Sequence, residues 1–239
     1  MKVLVVSDIH ANLLAFEAVI QDAEKQGGFD EIWCLGDIVG YGPDPNGCVD
    51  LLRSCPHVMV AGNHDWAVAG KLDLKWFSSA AARAVQWTRG VVRDDVREYL
   101  VSLPTMLVRG GCTLVHGSPR DPIREYVSSD KAASMLSHLT SAVLLVGHTH
   151  IPMSYQPEQG MDLPGYSTTV VFWKSKALVN PGSVGQPRDG DPQASYGILD
   201  IDAGTFSFGS VGYDVETVQK AIYAAGLPAV MAHRLALGS

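Results

Sequence analysis

The chain has 239 residues, 46% of them hydrophobic and 18% charged, and a formal net charge of −7. This length supports a sizeable core, and we expect one α/β domain over residues 1–239. The acidic balance argues against a general nucleic-acid or anionic-membrane binder. An anionic substrate stays possible, because bound divalent metals reverse the field locally.

No apolar run approaches the length of a transmembrane helix, and the one at the N-terminus is too short for a signal peptide. Cys34, Cys48, Cys55 and Cys112 form no C-x-x-C pair. They read as reduced thiols of a cytoplasmic protein.

Residues 2–7 form a continuous apolar run, so a strand buried on both faces is expected. Asp8, Ile9 and His10 follow it. Asn12 can cap a helix over roughly residues 13–26, which Gly27-Gly28 ends. Residues 31–35 read as a second strand, ending at Gly36-Asp37. Residues 38–45 are rich in Gly and Pro and must be loop. Asn46 can cap a short helix reaching about Cys55. Residues 57–61 give a third strand, and Gly62-Asn63-His64-Asp65 stands at its end. This alternation predicts βαβ units with parallel strands.

Residues 74–102 form a long helical zone, with a break expected near Gly90. Its aromatics, Trp76, Phe77, Trp87 and Tyr99, read as packing residues. Residues 105–109 and 112–115, joined by Gly110-Gly111, predict a hairpin that ends at His116. A helix over 129–139 and a buried strand over 142–146 follow. That strand ends in Gly147-His148-Thr149-His150. Further strands are expected over 168–173, 177–179, 195–201 and 205–211. Asp214 then caps a helix to about Ala225, and Gly226 with Pro228 divides it from a last short helix.

Five strand ends thus carry polar groups, and ligands of open α/β sheets bind at such ends. Asp8, His10, Asp37, Asn63, His116, His148 and His150 offer imidazole and oxygen ligands without thiolate. That set suits Mn, Fe, Zn, Ni or Co and not a structural cysteine site. The spacing of two in Asp8–His10 and His148–His150 puts each pair on one side of an extended segment. Seven ligands exceed the needs of one open metal, so two metals sharing an aspartate is the economical arrangement. His57, His138 and His233 are left for surface or capping roles.

The series D-x-H, G-D, G-N-H-D, a lone His and G-H-x-H, spanning residues 8–150, resembles the calcineurin-like metallophosphoesterase superfamily. The resemblance implies an α/β fold, a four-layer αββα sandwich of two mixed β-sheets flanked by helices, with a dinuclear site on one edge. It implies two divalent transition metal ions, manganese first among them. One would be held by Asp8, His10, Asp37 and His150, the other by Asp37, Asn63, His116 and His148, with Asp37 bridging. A bridging water or hydroxide would attack phosphorus. His64 would contact phosphate and protonate the leaving oxygen, with Asp65 orienting it.

Gly40 and Tyr41 stand where protein phosphatases and diadenosine-tetraphosphate hydrolases carry Asp and Arg, and Ala61 replaces an Arg before G-N-H. The phrase N-P-G-S-V-G-Q-P-R, residues 180–188, resembles the small prokaryotic phosphodiesterase branch. A small phosphodiester substrate is therefore expected ahead of a phosphomonoester or phosphoprotein. Arg120 and Arg188 are candidates to grip phosphate, and Tyr41 to border the substrate. A non-catalytic scaffold of the same fold is the rival reading, and a nuclease a third. The retained ligands and His64 favour an enzyme. The lack of a basic, aromatic-rich strip weighs against a nuclease.

Overall fold

Val3 and Val5 point into one apolar layer, and Leu4 and Val6 into another. Both faces of this strand are buried, which is why its sequence is apolar without a break. The computed structural model describes residues 1–165, 168–172 and 175–239. Its first half runs β1 (Lys2–Val6), α1 (Leu13–Lys25), β2 (Glu31–Cys34), α2 (Pro45–Arg53), β3 (His57–Met59), α3 (Asn63–Val68), α4 (Ser79–Val91) and α5 (Asp94–Ser102). A 3₁₀ turn, Leu74–Trp76, precedes α4. Then come β4 (Met106–Arg109), β5 (Cys112–Val115), α6 (Ser129–Ser137), β6 (Val143–Leu145), β7 (Pro152–Gln156), β8 (Gly160–Asp162) and β9 (Thr169–Val171). The chain continues through β10 (Ala177–Pro181), β11 (Ala194–Asp200), β12 (Thr205–Val211), α7 (Val215–Ala224) and α8 (Ala229–Leu237).

The strands form two mixed six-stranded sheets, in the orders β3-β2-β1-β11-β12-β9 and β4-β5-β6-β10-β7-β8. Trp33, Leu35, Leu114, Leu145, Val179 and Phe206 fill the space between them. Each such fully buried side chain contributes about 1.5–3 kcal/mol. Helices α1 and α2 cover the outer face of the first sheet through Phe16, Val19, Val49 and Leu52. Helix α6 covers the second through Ala132, Met135 and Leu136. The four-layer αββα sandwich is therefore present. Strands β1, β2 and β3 are parallel, as are β5 and β6. Parallel pairing sends the five motif-bearing strand ends to a common edge.

Several local expectations are corrected. The N-cap of α2 is Asp44, which accepts from the Gly47 amide at 2.9 Å, with Pro45 in the first turn. Asn46 instead ties α2 to the next helices, donating to the Val91 carbonyl and accepting from the Arg93 amide. Helix α4 runs through Gly90, and the break falls at Val92–Arg93, where both residues are extended. Asn63, His64 and Asp65 open a helix of their own, α3, and do not sit on a bare turn. The hairpin of β7 and β8 adds two strands that the sequence did not announce. The strand expected over 168–173 is Thr169–Val171, and its last expected residue, Trp173, lies outside the described residues. The hairpin at Gly110-Gly111 forms as expected, both glycines taking positive φ. All four cysteines are free thiols. No described helix is long and apolar enough to cross a membrane.

Candidate metal centre

Asp8 and His10 follow β1, Asp37 follows β2, His116 follows β5, and His148 and His150 follow β6. The two spaced pairs are not on extended segments. Asp8, His10, Asp37, His148 and His150 all have φ between 48° and 70°. This left-handed backbone is disfavoured for any residue with a Cβ. It turns each side chain sharply inward at the strand end, and all five are buried.

The first cluster joins Asp8, His10 and His150, whose ligand atoms lie within 4.8 Å of one another. His10 Nδ1 sits 3.3 Å from the Val39 carbonyl and His150 Nδ1 2.6 Å from the Gln186 carbonyl. A carbonyl only accepts, so each Nδ1 carries its hydrogen and, in the neutral ring, Nε2 is a bare lone pair. Those two Nε2 atoms face each other at 3.2 Å. Asp8 Oδ1 lies 3.2 Å from His150 Nε2 and has no hydrogen-bond partner. Burial holds His10 well below the usual imidazole range. Burial opposes the Asp8 charge, yet His150 keeps that carboxyl below the usual range.

The second cluster repeats the arrangement with Asp37, His116 and His148. His116 Nδ1 is 2.9 Å from the Leu35 carbonyl, and His148 Nε2 is 3.1 Å from the Arg124 carbonyl. The remaining ring nitrogens, His116 Nε2 and His148 Nδ1, face each other at 3.1 Å, and Asn63 Oδ1 lies 3.1 Å from the former. Asp37 Oδ2 stands between the clusters, 3.4 Å from His116 Nε2 and 3.7 Å from His10 Nε2. Acceptors converging this way are held together by a cation, either a proton or a metal ion. In the protein alone a proton serves. Burial works against the charged ring, but Asp37 raises His116 to about 9. Burial and the His116 charge keep His148 down at about 3. The donor set, the locked tautomers and the orphaned Asp8 oxygen fit divalent metal binding.

Asp65 is corrected as an orienting group for His64. Its oxygens accept the backbone amides of Asp37, Gly62 and Val39, so they fix the loop that carries Asp37. Burial, with the neighbouring Asp37 charge, pushes this carboxyl up to about 7. His64 Nδ1 is buried without a partner. The ring is held by packing, 4.3 Å from Tyr41, 4.9 Å from His10 and 5.0 Å from Phe77 between centroids. Gly40 is required beside it, since a Cβ there would stand 2.4 Å from His64 Nδ1.

A cavity of about 680 Å³ opens over Asn63, His64 and His148, and Tyr41 and Arg188 are among the residues that line it. Arg120 is not. It pairs at 2.7 Å with Glu125, a residue of the cavity wall, and is more than half exposed without lining the cavity itself. Arg124 takes the place in the wall and lies 4.6 Å over the Trp76 ring. Trp76 is therefore not a core residue; it is 59% exposed. Tyr126 stacks on His148 at 4.0 Å and also lines the cavity. Sequence spacing did not reveal Arg124 or Tyr126, although an aromatic and an Arg beside the lone His116 were the available signal.

The chain belongs to the calcineurin-like phosphoesterase superfamily, whose domain model matches residues 1–204. It is similar over 100% of its length to a metallophosphoesterase from Sphaerobacter thermophilus, covering 99% of that chain at 41% identity and a TM-score of 0.91. It is 39% identical to the uncharacterized protein MJ0912 of Methanocaldococcus jannaschii, across 99% of this chain and 98% of that one. The phosphodiesterase YfcE of Escherichia coli is 27% identical over 84% of this chain and 89% of its own.

Proposed function

We propose that this protein is a dinuclear metal-dependent phosphodiesterase, manganese being the first metal to try. The reading rests on one observation: two clusters of His and Asp ligand atoms meet at the Asp37 carboxylate. Asp8, His10, Asp37 and His150 would hold one ion, and Asp37, Asn63, His116 and His148 the other. When bound, such a pair supplies Lewis-acid stabilisation of phosphoryl oxygens and a nucleophile at neutral pH.

The chain's own residues do the rest. Carbonyls of Val39, Gln186, Leu35 and Arg124 keep each ligand imidazole in its binding tautomer. Arg188, with its backbone fixed to His150, offers a guanidinium to phosphate oxygens. Burial lowers His64 to about 4, so the neutral ring offers an N–H hydrogen bond to a phosphate or leaving oxygen, and it acts as a general acid once the charge of a bound phosphate keeps it protonated. Tyr41 packs against His10 and His64 and borders the substrate. The cavity suits a small phosphate ester, and the net charge of −7 fits no general nucleic-acid role. The free thiols suit the cytoplasm.

The test compares manganese-loaded protein on bis-p-nitrophenyl phosphate, p-nitrophenyl phosphate and a phosphopeptide. Higher kcat/KM on the diester is expected. Preference for the phosphopeptide would overturn the diester reading, and two bound metals without turnover of any ester would leave a scaffold.

A further inference from the structure

The family match stops at residue 204, and helices α7 and α8 lie beyond it. Helix α8 nonetheless reaches the cavity wall through Arg234, with α7 packed behind it. Val218, Ile222, Met231 and Leu235 pack with Tyr41 and Ala84 in one apolar cluster. The last turn of α8 is pinned to the loop that carries Arg188, since the Gly190 amide donates to the Gly238 carbonyl at 2.9 Å. Gly238 is needed there, because its φ is 61° and a Cβ would stand 2.5 Å from the Asp191 backbone. The Arg188 amide in turn donates to the His150 carbonyl at 3.2 Å. Backbone bonds therefore run from a metal-centre histidine to the end of α8.

This anchoring sets Arg234 of α8 and Arg188 in the wall of the same cavity. Arg188 Nε is buried and has no acceptor. The wall's other guanidinium, Arg124, is already engaged by Asp121 at 3.1 Å and by Trp76. Neither Arg188 nor Arg234 forms an ion pair within 4.0 Å among the described residues, in a chain with net charge −7. Asp121 and Glu125 line the cavity too, but both are already paired, with Arg124 at 3.1 Å and with Arg120 at 2.7 Å, and Arg188 makes only a long 3.4 Å bond to Gln186, so the two remaining guanidiniums are a site for anions. One phosphate between the metal clusters uses Arg188 alone.

Building on the phosphoesterase reading above, we infer that α8 supplies a second anion subsite. Arg234, beside Arg188, binds a further phosphate carried by the substrate outside the scissile group. The substrate class is then a phosphate ester bearing a second anionic group.

The test uses two esters that share one leaving group: thymidine 5′-(p-nitrophenyl phosphate), with and without a 3′-phosphate. With manganese-loaded protein, kcat/KM should be higher for the 3′-phosphorylated ester by about tenfold or more, the weight of a charge-assisted hydrogen bond. Arg234→Gln should bring the ratio near one, and Arg234→Lys should keep part of it. A ratio of one in the natural protein, or an unchanged ratio in Arg234→Gln, overturns the subsite. Turnover of neither ester would count against the phosphoesterase reading, not the subsite. Calorimetry with thymidine 3′,5′-bisphosphate and thymidine 5′-monophosphate then decides. Tighter binding of the bisphosphate, lost in Arg234→Gln, supports the subsite; equal binding overturns it.

Discussion

The Asp65 carboxylate accepts the backbone N–H of Asp37 at 2.7 Å, across 28 positions of sequence. In the same helix turn the His64 amide donates to Asp37 Oδ1 at 2.8 Å. The start of α3 thus grips the proposed bridging residue by both its backbone and its side chain, leaving Oδ2 for the clusters.

Asp65→Asn keeps the shape but turns an amide NH₂ toward backbone donors. An unsatisfied buried donor costs about 1–3 kcal/mol. We expect a lower melting temperature in the metal-free variant. Loss of such a supporting partner also weakens metal binding about 10–100-fold. Wild-type metal affinity in Asp65→Asn would show that the grip is incidental.

Asp37→Asn removes a charge that faces both clusters. The fold should survive, as Asp37 lies outside every strand and helix. Metal content by elemental analysis should fall below two per chain, and activity should vanish. Full activity with two metals bound would sink the bridging assignment.

His64→Ala separates proton donation from metal binding. General-acid help is typically worth about 10²–10⁴ in rate. We expect kcat to fall within that range for an alkoxide leaving group and by less for p-nitrophenolate, with metal content unchanged. An equal loss for both leaving groups would assign His64 to phosphate positioning; loss of a metal would make it a ligand.

His116 gives a pH signature. Its folded value of about 9 lies above the ordinary 6.5. In the metal-free protein, the stability due to the protonated ring facing Asp37 is therefore complete below 6.5 and is lost as pH rises through 9. A metal ion must displace this proton. Calorimetric titration with manganese at pH 7, in buffers of different ionisation enthalpy, should show about one proton released at this cluster. No release at pH 7 would contradict the assignment.

The candidate ligands were legible as a group because each follows a strand whose apolar run is easy to see, and parallel strands share an edge. Asp37 could be placed this way without any knowledge of side-chain geometry. The role of Asp65 was not legible, because its partners are backbone amides, which have no letter in a sequence. Arg120 and Arg124 both follow His116 closely, and only the turn at 117–122 decides which one faces the cavity. Helix α3 is just six residues long, too short for a periodic signal. Arg234 was hidden for a different reason. Its helix reaches the cavity through tertiary packing and one glycine contact, with no motif to mark it.

The left-handed residues at the metal centre have a consequence for how this chain tolerates change. Each non-glycine residue in that conformation costs roughly 1–2 kcal/mol. Asp8, His10, Ala11, Asp37, Tyr41, His148 and His150 all adopt it. Together they oppose folding by on the order of 10 kcal/mol, comparable to the net stability of a whole domain. Glycine at any of these positions would relieve strain, yet at five of them it would delete a proposed ligand. A lineage released from the need for this chemistry would gain heat resistance by losing its site, one glycine at a time. A lineage that keeps the chemistry must hold that reserve of stability elsewhere, in the apolar layer between the two sheets.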